Sequence, residues 1–370
     1  MKKTVLLQLA LLLAQLPLAL FSQEKQTLES VLQKENVKIL DIGNSYTENA
    51  LKYIPNLIAS AGIENKRHSL YMAVRAGATF KTWVDCYNNA DNYTYYTARK
   101  EGNIISELGE LANNVVRSSA YDGSNFRKLL TSTKWDIIII HQASELSHNF
   151  HLWKLDGVTG YLNQLYSLIE ETNPQALIGM YIIHSYREGY KKGTTTYGPS
   201  LDRWQQYADA VKQMQREYEI DLIIPYGTAV QNLRASSLQD EYEFSHDGTH
   251  LANGIGEYVA SCSYYETIFA PMYGISVMGN SYRNDSYDET QPGVVSITDK
   301  TAPLAQKAAL LAAKDMFSVQ NPEDDTSDID NITTAPTHND TNIYDIYGRI
   351  VTTPDNGIYI INGKKHYIRR

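Results

Sequence analysis

Four consecutive isoleucines, Ile137 to Ile140, follow Trp135-Asp136 and constrain the fold of this chain more than any other feature. An unbroken β-branched run has no polar face, so as a strand it must be covered on both sides. That is the setting of a central strand in a parallel sheet. Leu177 to Ile183 and Asp221 to Pro225 repeat the pattern, and Val37 to Ile42 and His68 to Val74 are two earlier strand candidates. Helical patterns separate them. Leu51, Ile54, Leu57 and Ile58 share one face over 51–61, and helices are expected over 160–172, 201–218, 253–269 and 303–316. Such alternation implies right-handed crossovers and an α/β fold, a three-layer α/β/α sandwich around a parallel sheet.

The two ends read differently from this middle. Lys2 and Lys3 precede an apolar run from Val5 to Phe21, closed by Ser22, which reads as a cleavable signal peptide over 1–22. Gln8, Gln15 and Pro17 interrupt the run, so it is a poor membrane span. Its loss removes two lysines and no acid, taking the net charge from −9 to −11. The α/β domain is then expected over 23–317. Residues 318–341 hold six acids and no Lys or Arg, with little to bury, and read as an acidic flexible linker. Beyond it, at 342–370, two β-rich runs with turns at Asp355-Asn356-Gly357 and Asn362-Gly363 suggest a small C-terminal β-module. This tail (YDIYGRIV…GIYIINGKKHYIRR) resembles the sorting domain of the Bacteroidetes type IX secretion pathway.

The acidic balance argues against a protein that tracks nucleic-acid phosphates. Two cysteines, Cys86 and Cys262, exclude a disulfide scaffold or a four-cysteine zinc site, though not a single bridge.

In an open parallel sheet, ligands collect at the carboxyl edge of the strands. The first strand runs into Gly43-Asn44-Ser45-Tyr46, which places Ser45 on a strand-to-helix turn, as an exposed hydroxyl or simply a helix cap. Far downstream, Ser245-His246-Asp247-Gly248-Thr249-His250 follows the fifth strand candidate. An Asp three residues before a His can turn its carboxylate onto the imidazole and fix the tautomer. His246, Asp247 and His250 could alternatively be metal ligands.

Together, DIGNSY and DGTHL resemble the SGNH (GDSL-like) hydrolase superfamily and, more closely, its DUF4886 branch of exported Bacteroidetes proteins, over about residues 36–317. The resemblance implies a flavodoxin-like five-stranded sheet, with Ser45 as nucleophile, His250 as general base and Asp247 as orienting acid. It also implies an oxyanion hole from the Ser45 N–H, the Gly77 N–H and a side-chain amide after the isoleucine strand. The usual Gly-x-Asn-Asp is absent there, and Gln142 in His141-Gln142-Ala143 stands in its place.

The activity implied by the resemblance is that of an exported serine esterase, periplasmic, cell-surface or secreted, with no metal or organic cofactor. Its expected substrate is an acylated, foremost acetylated, small molecule or polysaccharide. An acyltransferase with the same residues, or a catalytically silent glycan-binding protein, are the alternatives. No nucleic-acid partner and no stable membrane insertion after signal cleavage are expected. His141, Gln142, Glu145, His148, Trp83, Arg75 and Arg187 are candidates for the pocket wall.

Overall fold

The computed structural model describes residues 26–88, 96–97, 126–154, 161–239, 241–324, 343–345, 351–352, 357–361 and 364–368. The expected signal peptide and most of the acidic linker lie outside them. The chain divides into two units, Met1–Glu323 and Asp324–Arg370.

The larger unit is built on strands β1 (Val37–Gly43), β2 (His68–Val74), β3 (Tyr96–Thr97), β4 (Ile137–Ile140), β5 (Leu177–Tyr181) and β8 (Leu222–Ile224). Residues Lys191–Lys192 and Thr195–Thr196, β6 and β7, form a separate two-stranded ribbon. Sheet order is β3-β2-β1-β4-β5-β8. Its last five strands are parallel and follow the flavodoxin-like order expected from the sequence. A feature the sequence did not signal is the two-residue β3, which adds antiparallel to the β2 edge.

The isoleucine run behaves as its composition demands. Ile137 and Ile139 enter the core on one face, Ile138 and Ile140 the core on the other, and all four are fully buried. Each such burial contributes about 2 kcal/mol, an upper figure because unfolded chains already bury part of their apolar surface. Helices Ser45–Leu51, Ile54–Ser60, Tyr226–Arg234, Ile255–Tyr264 and Ala302–Lys314 cover the first face. Phe80–Asn88, Phe126–Thr131, Leu162–Thr172 and Ser200–Glu217 cover the second. Cys86 and Cys262 are free thiols in the two different cores, so the sheet separates them.

Where a linker was expected to begin, residues 319–323 instead return to this unit. Val319 packs on the core, Gln320 N–H donates to Asn232 Oδ1 at 2.7 Å, and Glu323 accepts from Ser237 N–H at 2.7 Å. The C-terminal unit is a three-stranded antiparallel sheet, β9 (Ile343–Asp345), β10 (Gly357–Ile361) and β11 (Lys364–Ile368), ordered β11-β10-β9. Tyr359 pairs with His366 on one side and Asp345 on the other.

Candidate active site

β1 ends at Gly43, and the next three residues decide where the hydroxyl of Ser45 stands. Asn44, extended at φ −134°, is the N-cap: its Oδ1 accepts from Tyr46 N–H at 3.0 Å. Ser45 is therefore the first helical residue, not the cap, and its side chain is released from capping. The close approach beneath it requires a glycine. A Cβ on Gly43 would lie 2.1 Å from Nε2 of His141 and 2.4 Å from Oγ1 of Thr47.

His141, expected as a pocket wall, is instead a buried brace. Its Nε2 faces the Thr47 hydroxyl at 3.0 Å and the Asn44 N–H at 3.4 Å, and Nδ1 lies 3.1 Å from the Gln142 carbonyl. Burial lowers its pKa to about 4, so the ring is neutral: Nδ1–H donates and Nε2 accepts.

The base loop is held largely by its own bonds. Ser245 pairs with Leu251 in an antiparallel bridge, and Gly248 N–H donates to Ser245 Oγ at 2.8 Å. Glu243 and Phe244 lead into it with positive φ of 49° and 62°, a left-handed backbone that costs about 1–2 kcal/mol per non-glycine residue. The buried Arg234 holds this entry, donating from Nη2 to the Glu243 carbonyl at 3.1 Å.

Within the loop, Asp247 Oδ1 accepts the N–H of Thr249 at 2.8 Å and of His250 at 2.7 Å. Its Oδ2 lies 2.6 Å from His250 Nδ1, and His250 Nε2 lies 2.8 Å from Ser45 Oγ. Partial burial opposes ionisation of Asp247, but the hydrogen bonds from His250 and Thr249 outweigh it and hold the carboxyl well below the usual range. With Nδ1–H donated to Asp247, Nε2 is left as acceptor for the serine hydroxyl. The expected Ser45, His250 and Asp247 are thus brought into one continuous chain of hydrogen bonds.

Two supports under this chain were not singled out from sequence. His184 is buried with its Nε2 2.7 Å from the Thr249 carbonyl, and it stacks on Tyr46 at 4.2 Å; Tyr46 in turn meets His250 edge-on. Asn49 joins the serine helix to the base loop, accepting from Leu251 N–H at 3.4 Å and donating to Glu257 Oε1 at 2.8 Å. Lys52 completes this cluster at 2.9 Å from Glu257 Oε2. Asn49 and Glu257 are 208 positions apart, so no local spacing could have paired them.

The expected oxyanion donors come from neighbouring strands and the same sheet edge. Gly77, exposed at φ +63°, lies in the Arg75–Ala78 turn after β2, which Ala78 N–H closes on Arg75 O at 3.0 Å. Asn44 Nδ2 ties this turn to the serine through Ala78 O at 3.2 Å. Gln142 follows β4. Its Oε1 is fixed by the N–H groups of Phe80 at 3.2 Å and Ala143 at 3.0 Å, which leaves a fully buried Nε2 with no partner among the described residues. A buried amide donor left unpaired costs about 1–3 kcal/mol.

The other wall candidates do not converge as a group. Trp83 is wholly buried in the core against Phe126, because its helix turns that face inward. Glu145 pairs with Lys192 of the ribbon, and the Arg187 guanidinium lies over the Tyr242 ring at 5.0 Å. The carbonyl of Gly43 accepts the Arg75 N–H at 3.2 Å, and His148 is only partly covered.

Strand order and the serine that follows β1 define a flavodoxin-like α/β sandwich with a hydrogen-bonded Ser–His–Asp set at the carboxyl edge of its sheet. The model of the domain of unknown function DUF4886 matches residues 38–303, and the chain belongs to that family. A DUF4886 family protein from Bacteroides uniformis, known from its crystal structure, is 23% identical with TM-score 0.57, covering 77% of this chain and 98% of that one. A family 3 carbohydrate esterase from Clostridium thermocellum gives 13% identity and TM-score 0.35, over 65% and 98%. An extracellular lipase from Streptomyces rimosus gives 10% and 0.30, over 64% and 98%. At 23% identity the likeness to the Bacteroides uniformis protein concerns the fold alone. No curated protein sequence matches the chain significantly.

Proposed function

We propose that this chain is a serine esterase that removes acyl groups, acetyl foremost, from carbohydrates. The observation that carries the reading is the unbroken Ser45–His250–Asp247 chain, 2.8 Å and 2.6 Å long at its two links. Serine is a weak nucleophile at neutral pH unless a base takes its proton. As Ser45 Oγ bonds to the acyl carbon, its proton passes to His250 Nε2 and Asp247 stabilises the imidazolium. The oxyanion is received by the N–H groups of Ser45 and Gly77 and by Gln142 Nε2, each donor worth about 3 kcal/mol in the transition state. Collapse breaks the ester C–O bond, and His250 returns the proton to the leaving alcohol. Water, activated by the same nitrogen, then frees the acid from Ser45.

Hydrolysis is favoured over transfer to a sugar because Asp247 and His250 stay open to solvent, with side chains 41% and 34% exposed. Support for a carbohydrate comes from the half-buried rings of Tyr190 and Tyr197. They stack on one another at 5.9 Å, and the Tyr190 ring covers Gly248 of the base loop. Such rings can meet the apolar faces of sugars. The same reading takes residues 1–22 as an export signal and the C-terminal unit as a secretion module. No helix among the described residues is long and apolar enough to cross a membrane.

Turnover of 4-nitrophenyl acetate and of acetylated polysaccharides by wild type, Ser45→Ala and His250→Ala tests the proposal. The expected result is a loss of at least ~10⁴-fold in kcat for each variant, with unchanged melting. Equal rates in all three, or no hydrolysis of any substrate by the wild type, would overturn it in favour of glycan binding without catalysis.

A further inference from the structure

His246 is an imidazole of the base loop that the proposed reaction leaves unused. It is half exposed, and its ring stacks on that of His250 at 5.8 Å and 19°. Its Nδ1 lies 3.2 Å from the Leu251 carbonyl. Donation of Nδ1–H to that carbonyl leaves the lone pair on Nε2, the arrangement by which a backbone carbonyl orients a metal-binding histidine. That lone pair stands 3.7 Å from Asp247 Oδ2, which is itself 2.6 Å from His250 Nδ1. All three ligand atoms lie within 4.8 Å of one another. A tetrahedral zinc ion bonded at 2.0–2.1 Å needs its ligand atoms about 3.3 Å apart. The His246–Asp247 separation is close to this already, the His250–Asp247 contact has to open, and the two imidazole nitrogens, within 4.8 Å of one another, have to settle at the same spacing.

We propose that His246 Nε2, Asp247 Oδ2 and His250 Nδ1 form an inhibitory site for Zn²⁺. Two imidazoles and one carboxylate select zinc over calcium or magnesium, which prefer all-oxygen shells. The site leaves a fourth position for water.

Occupation acts through the tautomer of His250, and this consequence rests on the esterase reading above. In the working tautomer Nδ1 carries the proton and Nε2 accepts from Ser45. Zinc bonds to the Nδ1 lone pair, so the proton leaves Nδ1 and the neutral ring carries it on Nε2. The ring gains one Zn–N bond, loses its N–H···O bond to Asp247 and keeps its single proton. An Nε2–H cannot take the serine proton. Zinc therefore consumes the orienting acid and blocks the base together.

The test is calorimetric titration of ZnCl₂ into the untagged full chain after chelator treatment, for wild type and His246→Asn, with CaCl₂ titrated alongside. Hydrolysis of 4-nitrophenyl acetate is followed on the same samples. One zinc site in the wild type is expected, weakened at least ~10-fold in the variant. Both proteins should be equally active in chelator, and the zinc concentration that halves activity should rise at least ~10-fold in the variant. Unchanged zinc affinity in His246→Asn, no zinc binding by the wild type, or zinc bound with undiminished hydrolysis would each overturn the site. Zinc binding that depends on His246 in a chain with no hydrolysis even in chelator would support the metal site and overturn only the esterase reading.

Discussion

The serine and the histidine that meet at 2.8 Å are positioned by opposite means. On the serine side, everything is tertiary: a core strand, a glycine forced by a buried histidine, and a cap tied to the next turn. Gly43, Asn44, Thr47 and His141 form one closely packed, hydrogen-bonded block. On the base side, most of the work is local. Residues 245–251 close on themselves through a backbone bridge and through Asp247, which accepts from Thr249 and His250 a few positions on. A nucleophile set by the core should be costly to disturb in stability. A base set by its own loop should be costly to disturb only in activity.

The largest effect expected is catalytic and lies on the loop side. Asp247→Asn retains an acceptor for the loop N–H groups but loses the charge that orients and stabilises His250. Activity should fall by about 10⁴-fold, roughly 5.5 kcal/mol in the barrier, with melting within a few degrees of wild type. Steady-state kinetics beside a thermal melt separates the two; a large drop in melting temperature would break the contrast.

Next is a pH effect on the serine side. Asp41 on β1 is wholly buried, and burial raises its carboxyl to about 7 although Tyr181 and Tyr264 donate to it. Between about pH 4 and 7 the folded chain keeps a proton that the unfolded chain releases. The stabilisation is complete below that window and is lost as pH rises through 7, by up to ~4 kcal/mol. Denaturant melts of wild type and Asp41→Asn from pH 4 to 8 should therefore show this slope in the wild type alone. A difference that stays constant with pH contradicts it.

Gly43→Ala should cost about 1–3 kcal/mol by overpacking against His141, lowering the melting temperature before any assay of activity. The smallest effect expected is at the seam. Asn49→Ala removes a side chain bonded both to Leu251 of the base loop and to Glu257, and should lower kcat about tenfold with little change in KM. Equal change in both parameters would give Asn49 a role in binding instead.

The same division governs what could be read from sequence. Period and order are written locally, so the isoleucine strand, the parallel sheet, the serine after β1 and the Asp-x-x-His spacing were all legible. Gln142 was reached only through a resemblance; its orphaned Nε2 became visible once Phe80 and Ala143 were seen to hold its oxygen. The helix Tyr226–Arg234 was missed because every one of its residues is buried, which erases the amphipathic period. The helix expected over 51–61 is the shorter Ile54–Ser60, and a separate helix, Ser45–Leu51, precedes it across a break at Lys52-Tyr53. His141 and Trp83 look like pocket residues by their position after or near a strand, and only packing shows them to be braces. Contacts such as Asn49 with Glu257 join residues whose neighbourhood exists only after folding.

The central claim is that His250 and Asp247 activate Ser45, and covalent labelling tests it most directly. A fluorophosphonate probe reacts with an activated serine hydroxyl and needs no knowledge of the natural ester. Intact-mass and peptide analysis should find one adduct per chain, on Ser45, absent in Ser45→Ala and formed at least ~10³-fold more slowly in His250→Ala. No adduct on the wild type, or labelling of Ser45 at the same rate without His250, would contradict the account.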